Sequence, residues 1–213
     1  MTRPVKTRSY RSPLRSEGAL ATRRSILAAA RKLFATEGYA ATTIAAIASE
    51  AGVSVDTVYA SVGRKPQLIL GVVDMALGES PDAPAAEERQ YVVGIRAATT
   101  AQEKLAIYAA ALARLLPQIR PLQDALHEAA SVDADCATAW RRLVDRRAAN
   151  MRLLAADLRA TGELRRDLSD EQVADIVWAT NSVEFYGLFC QRGWRSEEFE
   201  ALLVDLWRRM LLA

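Results

Sequence analysis

Apolar positions between Thr42 and Lys65, in the stretch TTIAAIASEAGVSVDTVYASVGRK, recur at helical spacing, break once at a glycine, and then resume. Ile44, Ile47 and Ala48 share one face of a first short helix, with Thr42 or Thr43 available as its N-cap. Ala48 is small, as a residue must be where a second helix crosses at close range. Gly52 follows the last turn, where a positive backbone angle is required and glycine takes it without strain. Val53 closes the corner, Ser54 caps the next helix, and Val58 returns to the same small core. This order is expected of a helix-turn-helix, whose second helix enters the major groove of DNA.

The second helix leaves Val55, Asp56, Thr57, Tyr59, Ala60 and Ser61 off its apolar face. Most are short or hydrogen-bonding groups, suited to close approach to base edges and phosphates. Arg64 and Lys65 open the following helix, marked by Pro66 in its first turn, where backbone amides already favour phosphate. With Thr43 and Ser54, these residues form the candidate DNA-contacting set. The bland alternative is an ordinary helical hairpin, which also needs a glycine turn and an apolar seam.

The rest of the chain reads as helix, and an all-α class is expected. TRRSILAAARKLFATEGY places Ile26, Leu27, Ala30, Leu33 and Phe34 on one stripe, predicting a supporting helix from the Thr22 cap to Gly38. Arg23 and Arg24 of this helix are candidates for the DNA backbone, while Arg31 and Lys32 read as solvated. PQLILGVVDMAL is a further helix, and GESPDAP (Gly78 to Pro84) breaks the pattern. Later helices are expected over about Ala101 to Leu116, Leu122 to Val132, Ala134 to Thr161, Ser169 to Arg192 and Ser196 to Leu212. Breaks fall at Pro117 and Pro121, Asp133, Gly162 and Gly193. Three segments result: a basic arm over residues 1–21, a helix-turn-helix domain over 22–66, and a helical body over 67–213. The arm either follows the phosphates and minor groove or is a solvated tail.

Charge sharpens this division. Through Pro66 there are eleven cations against four acids, a net +7, so a total of +2 leaves the remainder at −5. A basic head on an acidic body suits a polyanion-binding module joined to a different function. The only histidine is His127, and neither a nucleophile elbow, a phosphate-binding glycine loop nor a zinc ligand set is present. Cys136 and Cys190 form no metal or disulfide pattern. An enzyme, a metal site and a cofactor are therefore not expected. With no membrane-length apolar run or signal peptide, the expected location is the cytoplasm.

The capped helix, the run IAAIASEAGVSVDTVYASVGRKPQLI and the long helical remainder resemble the tetracycline-repressor (TetR) family of transcriptional regulators over about Thr22 to Leu77. In that family Thr, Tyr and Lys at the positions of Thr57, Tyr59 and Lys65 contact phosphates. Ser61 departs from a usual His or Tyr, and Val62 and Gly63 from a usual aromatic and its neighbour. The resemblance implies that the helix after Lys65 links the DNA head to a ligand-binding body and transmits ligand state. It also implies a homodimer through a four-helix bundle, two helices from each subunit. The last two helices fit that role, being too apolar for a single core-facing stripe. Phe189, Phe199, Leu203, Leu206, Trp207 and Met210 are the candidate interface, with a thicker monomer core as the alternative.

Polar groups in the apolar body mark a candidate ligand cavity lined by Tyr108, Leu112, Leu126, His127, Trp140, Met151, Trp178, Asn181 and Phe185. For each residue taken singly, a place in the core or at an interface is the alternative. The expected function is a ligand-responsive regulator, a repressor that binds a palindromic operator on double-stranded DNA as a homodimer and is released by a small apolar or aromatic effector. The rivals are a helical small-molecule-binding protein and a DNA-binding regulator with no ligand.

Overall fold

The computed structural model describes residues 13–213, in which ten α-helices follow one another with one 3₁₀ turn (Ala86–Glu88). They are α1 (Pro13–Ala41), α2 (Ile44–Ala51), α3 (Val55–Ser61), α4 (Lys65–Leu77), α5 (Gln90–Ala97), α6 (Ala101–Ala130), α7 (Ala134–Arg159), α8 (Asp170–Thr180), α9 (Val183–Gln191) and α10 (Ser196–Leu211). The only strand-like pairing among them is an isolated bridge between Leu164 and Leu212, which ties the end of α10 to the turn after α7.

Two apolar cores organise the helices. The head core gathers Ile26, Leu27 and Phe34 of α1 with Ile47 and Ala48 of α2, Val58 of α3, and Leu68, Ile69 and Val72 of α4. The body core runs from Leu105, Tyr108 and Leu112 of α6 through Leu158 of α7 and Val177 of α8 to Phe199, Leu203, Trp207 and Leu211 of α10. Helix α4 belongs to both, because Val73 and Ala76 on its other face join the body core. Leu126, Cys136 and Ala139, from the α6–α7 corner, pack in the head core. The seam between head and body is therefore itself an apolar core.

Several boundaries differ from the expected ones. The first helix begins at Pro13, so residues 13–21 of the expected arm are helical, and residues 1–12 lie outside the described residues. Thr22 is not a cap: its hydroxyl donates to the Gly18 carbonyl 2.9 Å away, one turn back in the same helix. Gly38 (φ 80°) kinks α1 near its end, where the expected helix stops. Pro117 and Pro121 do not divide α6. Each removes a backbone donor, at about 3 kcal/mol in an ordinary helix interior. Both lie on the exposed side, four residues apart, while Leu115, Leu116, Ile119 and Leu126 stay buried on the other, so long-range packing overrides the local preference.

The expected helix from Ser169 to Arg192 is two helices. Asn181 ends α8, and Ser182 caps α9 through its hydroxyl, which accepts from Phe185 N at 3.0 Å. Helix α5, between the Gly78–Pro84 loop and α6, is additional to the expected helices; it is one short stretch carrying a single buried residue, Ile95.

Candidate DNA-contacting head and internal cavity

Local geometry in the head follows from the residue types. Thr43 is the N-cap of α2, its hydroxyl accepting from Ala46 N at 3.1 Å. Thr42 is instead buried and donates to the Gly38 carbonyl at 2.7 Å. Gly52 takes the left-handed conformation (φ 68°), and Val53 N then donates to the Ala48 carbonyl at 3.0 Å, closing the turn. Ser54 caps α3, accepting from Thr57 N at 3.1 Å and sharing a hydrogen bond with the Thr57 hydroxyl at 2.8 Å.

With Val58 fully enclosed, α3 presents Val55, Asp56, Tyr59 and Ala60 to solvent, with Thr57 and Ser61 half-buried at its sides. Tyr59 is 49% exposed. Arg23 of α1 donates to the Ser61 carbonyl at 3.0 Å, closing the C-terminal end of α3. Arg24 pairs with Asp82 in the loop after α4, and Lys32 with Glu50 at 2.6 Å. The two arginines expected near the backbone thus hold the head together.

Arg64 and Lys65 are also engaged. Arg64 donates to Asp135 of α7 at 2.7 Å, and that carboxylate holds its guanidinium charged. The Lys65 ammonium donates to the Ala40 carbonyl at 3.2 Å and lies 4.3 Å from the centre of the Tyr39 ring. Partial burial pushes its pKa down.

A cavity of about 460 Å³ opens inside the body between α4, α5, α6 and α7 and the start of α9. Tyr108, Leu112, Met151 and Asn181 of the expected lining border it. Asn181 donates to the Tyr108 hydroxyl at 2.8 Å and contacts the Met151 sulfur at 2.9 Å. Tyr108 is stacked between Tyr91 and Trp207, at centroid distances of 6.2 and 5.7 Å. Burial pushes its hydroxyl pKa upward.

The other five expected residues lie elsewhere. Leu126 is enclosed in the head core, where the α6–α7 corner dips toward α1. His127 is exposed and stacks on Trp140, 4.4 Å between centroids, at the same corner. Trp178 faces α7 and lies under the Arg147 guanidinium at 4.6 Å. Phe185 packs among Phe189 and Phe199. Sequence reasoning missed the polar wall: Arg89, Gln123, Arg146 and Arg147. Their one local signal is an arginine doublet, Arg146–Arg147, on a helix whose neighbouring arginines face water.

The expected interface residues divide in two. Phe199, Leu203 and Trp207 have no exposed surface, because α10 lies against α6 and α8 with these residues inward, and they have none to offer a partner. Phe189 and Leu206 are half-buried, and Met210 is 37% exposed. No group of three His, Cys, Asp or Glu side chains suited to a metal occurs among the described residues, and none of their helices is long and apolar enough to cross a membrane.

The structure is thus a capped helix-turn-helix joined by a shared helix to an α-helical body with a polar-walled cavity. Residues 26–71 match the family model for bacterial regulatory proteins, tetR family. A TetR-family transcriptional regulator from Rhodococcus sp. superposes with a TM-score of 0.67 at 17% identity, covering 87% of this chain and 96% of that one. A transcriptional regulator from Saccharomonospora viridis, in complex with choline, gives 0.66 at 20% identity, covering 93% and 99%. The regulator FadR from Bacillus subtilis, in complex with stearoyl-CoA, gives 0.65 at 17% identity, covering 85% and 95%. No curated protein matches the chain. The family match is confined to the head, and along the whole chain the likeness to these regulators is one of fold.

Proposed function

We propose that the protein is a ligand-responsive repressor that binds a palindromic operator as a homodimer and lets go when a small molecule occupies the body cavity. The observation that carries this reading is the double membership of α4. One face packs in the head core, and Asp74 on the same helix holds two arginines of the cavity wall, Arg89 at 3.3 Å and Arg146 at 2.8 Å. A molecule that rearranges that wall bears directly on the helix that carries α3.

In a twofold dimer, two copies of α3 enter successive major grooves only when about 34–36 Å apart. Val55, Asp56 and Ala60 are assigned to base edges, and Thr43, Ser54, Thr57, Tyr59, Ser61, Arg64 and Lys65 to the backbone. Arg64 and Lys65 must exchange their present partners for phosphate. The choline and stearoyl-CoA complexes support the cavity as an effector site, each as a property of its own protein.

The test is selection of bound fragments from a pool of genomic DNA, followed by gel shift of the selected duplex with and without cavity ligands. A palindromic consensus is expected, with a ligand that lowers operator affinity and whose own affinity the operator lowers by the same factor. Failure to enrich any sequence over random DNA would remove the repressor assignment. Enrichment with no ligand effect would leave a ligand-independent regulator.

A further inference from the structure

We propose that the cavity takes an organic anion, a carboxylate carried on an apolar or aromatic body. This inference rests on the reading of the cavity as the effector site and adds the chemistry of the effector.

The wall carries more positive charge than its own acids balance. Three guanidiniums line it: the buried Arg89, the half-buried Arg147, and Arg146, which also opens to solvent. Asp74 is shared by the first two, contacting Arg89 through one oxygen and Arg146 through both, the second at 3.0 Å. The other charged groups around the space are accounted for. Asp157 pairs with the buried Lys104 at 3.1 Å, and Glu87 and Arg96 lie exposed at the edge.

Arg147 is the unbalanced member. Its contacts are the Trp178 carbonyl, at 3.2 Å, and the Trp178 ring; Glu184 acts on it through space without forming an ion pair. Burial pushes its pKa down, as it does for a cation held out of water without a contacting carboxylate.

Unused hydrogen-bonding atoms point the same way. Arg89, 5% exposed, has an Nε with no partner, and so has Arg147. Gln123 and Asn181, 4% and 3% exposed, each have an unpartnered carbonyl oxygen. A buried donor or acceptor without a partner costs about 1–3 kcal/mol, more when charged, so four of them around one space constitute a demand on its contents. Planar guanidinium donors match a carboxylate, and Arg147 is the guanidinium of this wall that no carboxylate contacts. The two amide oxygens accept from a hydroxyl or N–H on the ligand body. Apart from Tyr91, Tyr108 and Asn150, the remainder of the lining, including Leu112, Leu116, Ile119 and Leu154, is apolar.

The same geometry supplies a link to the head. An anion that pairs with Arg146 or Arg89 competes with Asp74 and loosens the hold of the cavity wall on α4.

The experiment is titration calorimetry on the full chain with three probes of one shape: 4-phenylbutanoate, 4-phenylbutan-1-ol and 4-phenylbutylammonium. The carboxylate is expected to bind at least about 10-fold more tightly than either other probe, the factor appropriate to charge-assisted hydrogen bonds. Arg147→Gln should bring the three within about threefold, and Arg147→Lys should keep the order. Asp74→Asn, which removes the competitor, should tighten the carboxylate. The alcohol or the ammonium binding as well as the carboxylate overturns the proposal, as does an unchanged preference in Arg147→Gln or heat from none of the three. If Arg147→Gln fails to fold, the probe order on the unaltered chain decides. Carboxylate binding that leaves operator affinity unchanged would keep the anion site and sink the effector role, so the two failures are distinguishable.

Discussion

The Arg64 guanidinium donates to the Asp135 carboxylate at 2.7 Å, joining the first residue before α4 to the first turn of α7. The pair spans 71 residues of sequence and crosses from head to body at the end of the segment that would approach DNA. If Arg64 contacts a phosphate as proposed, Asp135 competes with the DNA for it. Beside it, the Tyr39 hydroxyl and the Cys136 thiol lie 3.3 Å apart, so the corner between α6 and α7 grips α1 as well.

Asp135→Asn should free Arg64 for the operator. Affinity should rise at low salt, and the dependence of log K on log salt should steepen by about 0.9 for one added phosphate contact. Gel shifts across a salt series measure both. An unchanged slope would mean that Arg64 serves only the head–body seam.

The second prediction concerns how closely α4 meets α1. A Cβ added at Gly71 would stand 2.6 Å from Cδ2 of Leu27, a side chain only 1% exposed and without room to withdraw. Gly71→Ala should destabilise the chain by about 1–3 kcal/mol, the usual cost of overpacking. Shortening the obstacle in the double variant Gly71→Ala/Leu27→Ala should give non-additive losses in a denaturant melt. Strict additivity would place the two side chains out of contact.

Alkaline stability should carry the signature of buried tyrosines. Burial pushes the Tyr39 and Tyr108 hydroxyls well above their ordinary value, Tyr39 further through its hydrogen bond to Cys136. The unfolded chain releases these protons near pH 10 (about the unperturbed tyrosine value), while the folded chain retains them. Their contribution is complete below that pH and is lost as the pH climbs toward the folded values. Melting temperature should be flat in this respect up to about pH 10 and fall beyond it. Tyr39→Phe should make that fall shallower, and a fall of the same steepness would assign it to other groups.

What could be read from the sequence was what neighbours within a few residues decide. Thr43, Gly52, Ser54 and Val58 lie within one short stretch, each answering a backbone demand that its own chemistry reveals. The body was harder, because its decisive contacts join distant residues. Prolines 117 and 121 signal a break by local rules, yet their helix is held straight through by the packing of Leu115, Leu116 and Ile119. An apolar stripe such as Phe199, Leu203 and Trp207 announces that it is buried, not whether its own subunit or a partner covers it. Arg89 and Arg147 resemble surface arginines until the helices around the cavity are folded against them. Asp74, the residue that organises two of the cavity-wall arginines, is a lone acid in an apolar helix, and that isolation was the available clue.

The last prediction concerns assembly. With Phe199, Leu203 and Trp207 committed inward, the apolar surface left on the closing helices comprises Leu188 (59% exposed), Trp194 (39%) and Met210 (37%), with Phe189 beside them. If this surface carries a twofold contact, Leu188→Glu buries two charges at every copy of the interface and should yield a monomer at micromolar concentration in sedimentation. Its far-UV circular dichroism should stay helical, because Leu188 contributes little to the core of its own subunit. Phe199→Ala should behave in the opposite way. It removes a side chain with no exposed surface and should cost about 3–5 kcal/mol of folding stability, whatever the assembly state. A dimer that survives Leu188→Glu would move the interface to another face of α9 and α10. A Phe199→Ala chain that dissociates without losing stability would return Phe199 to the interface.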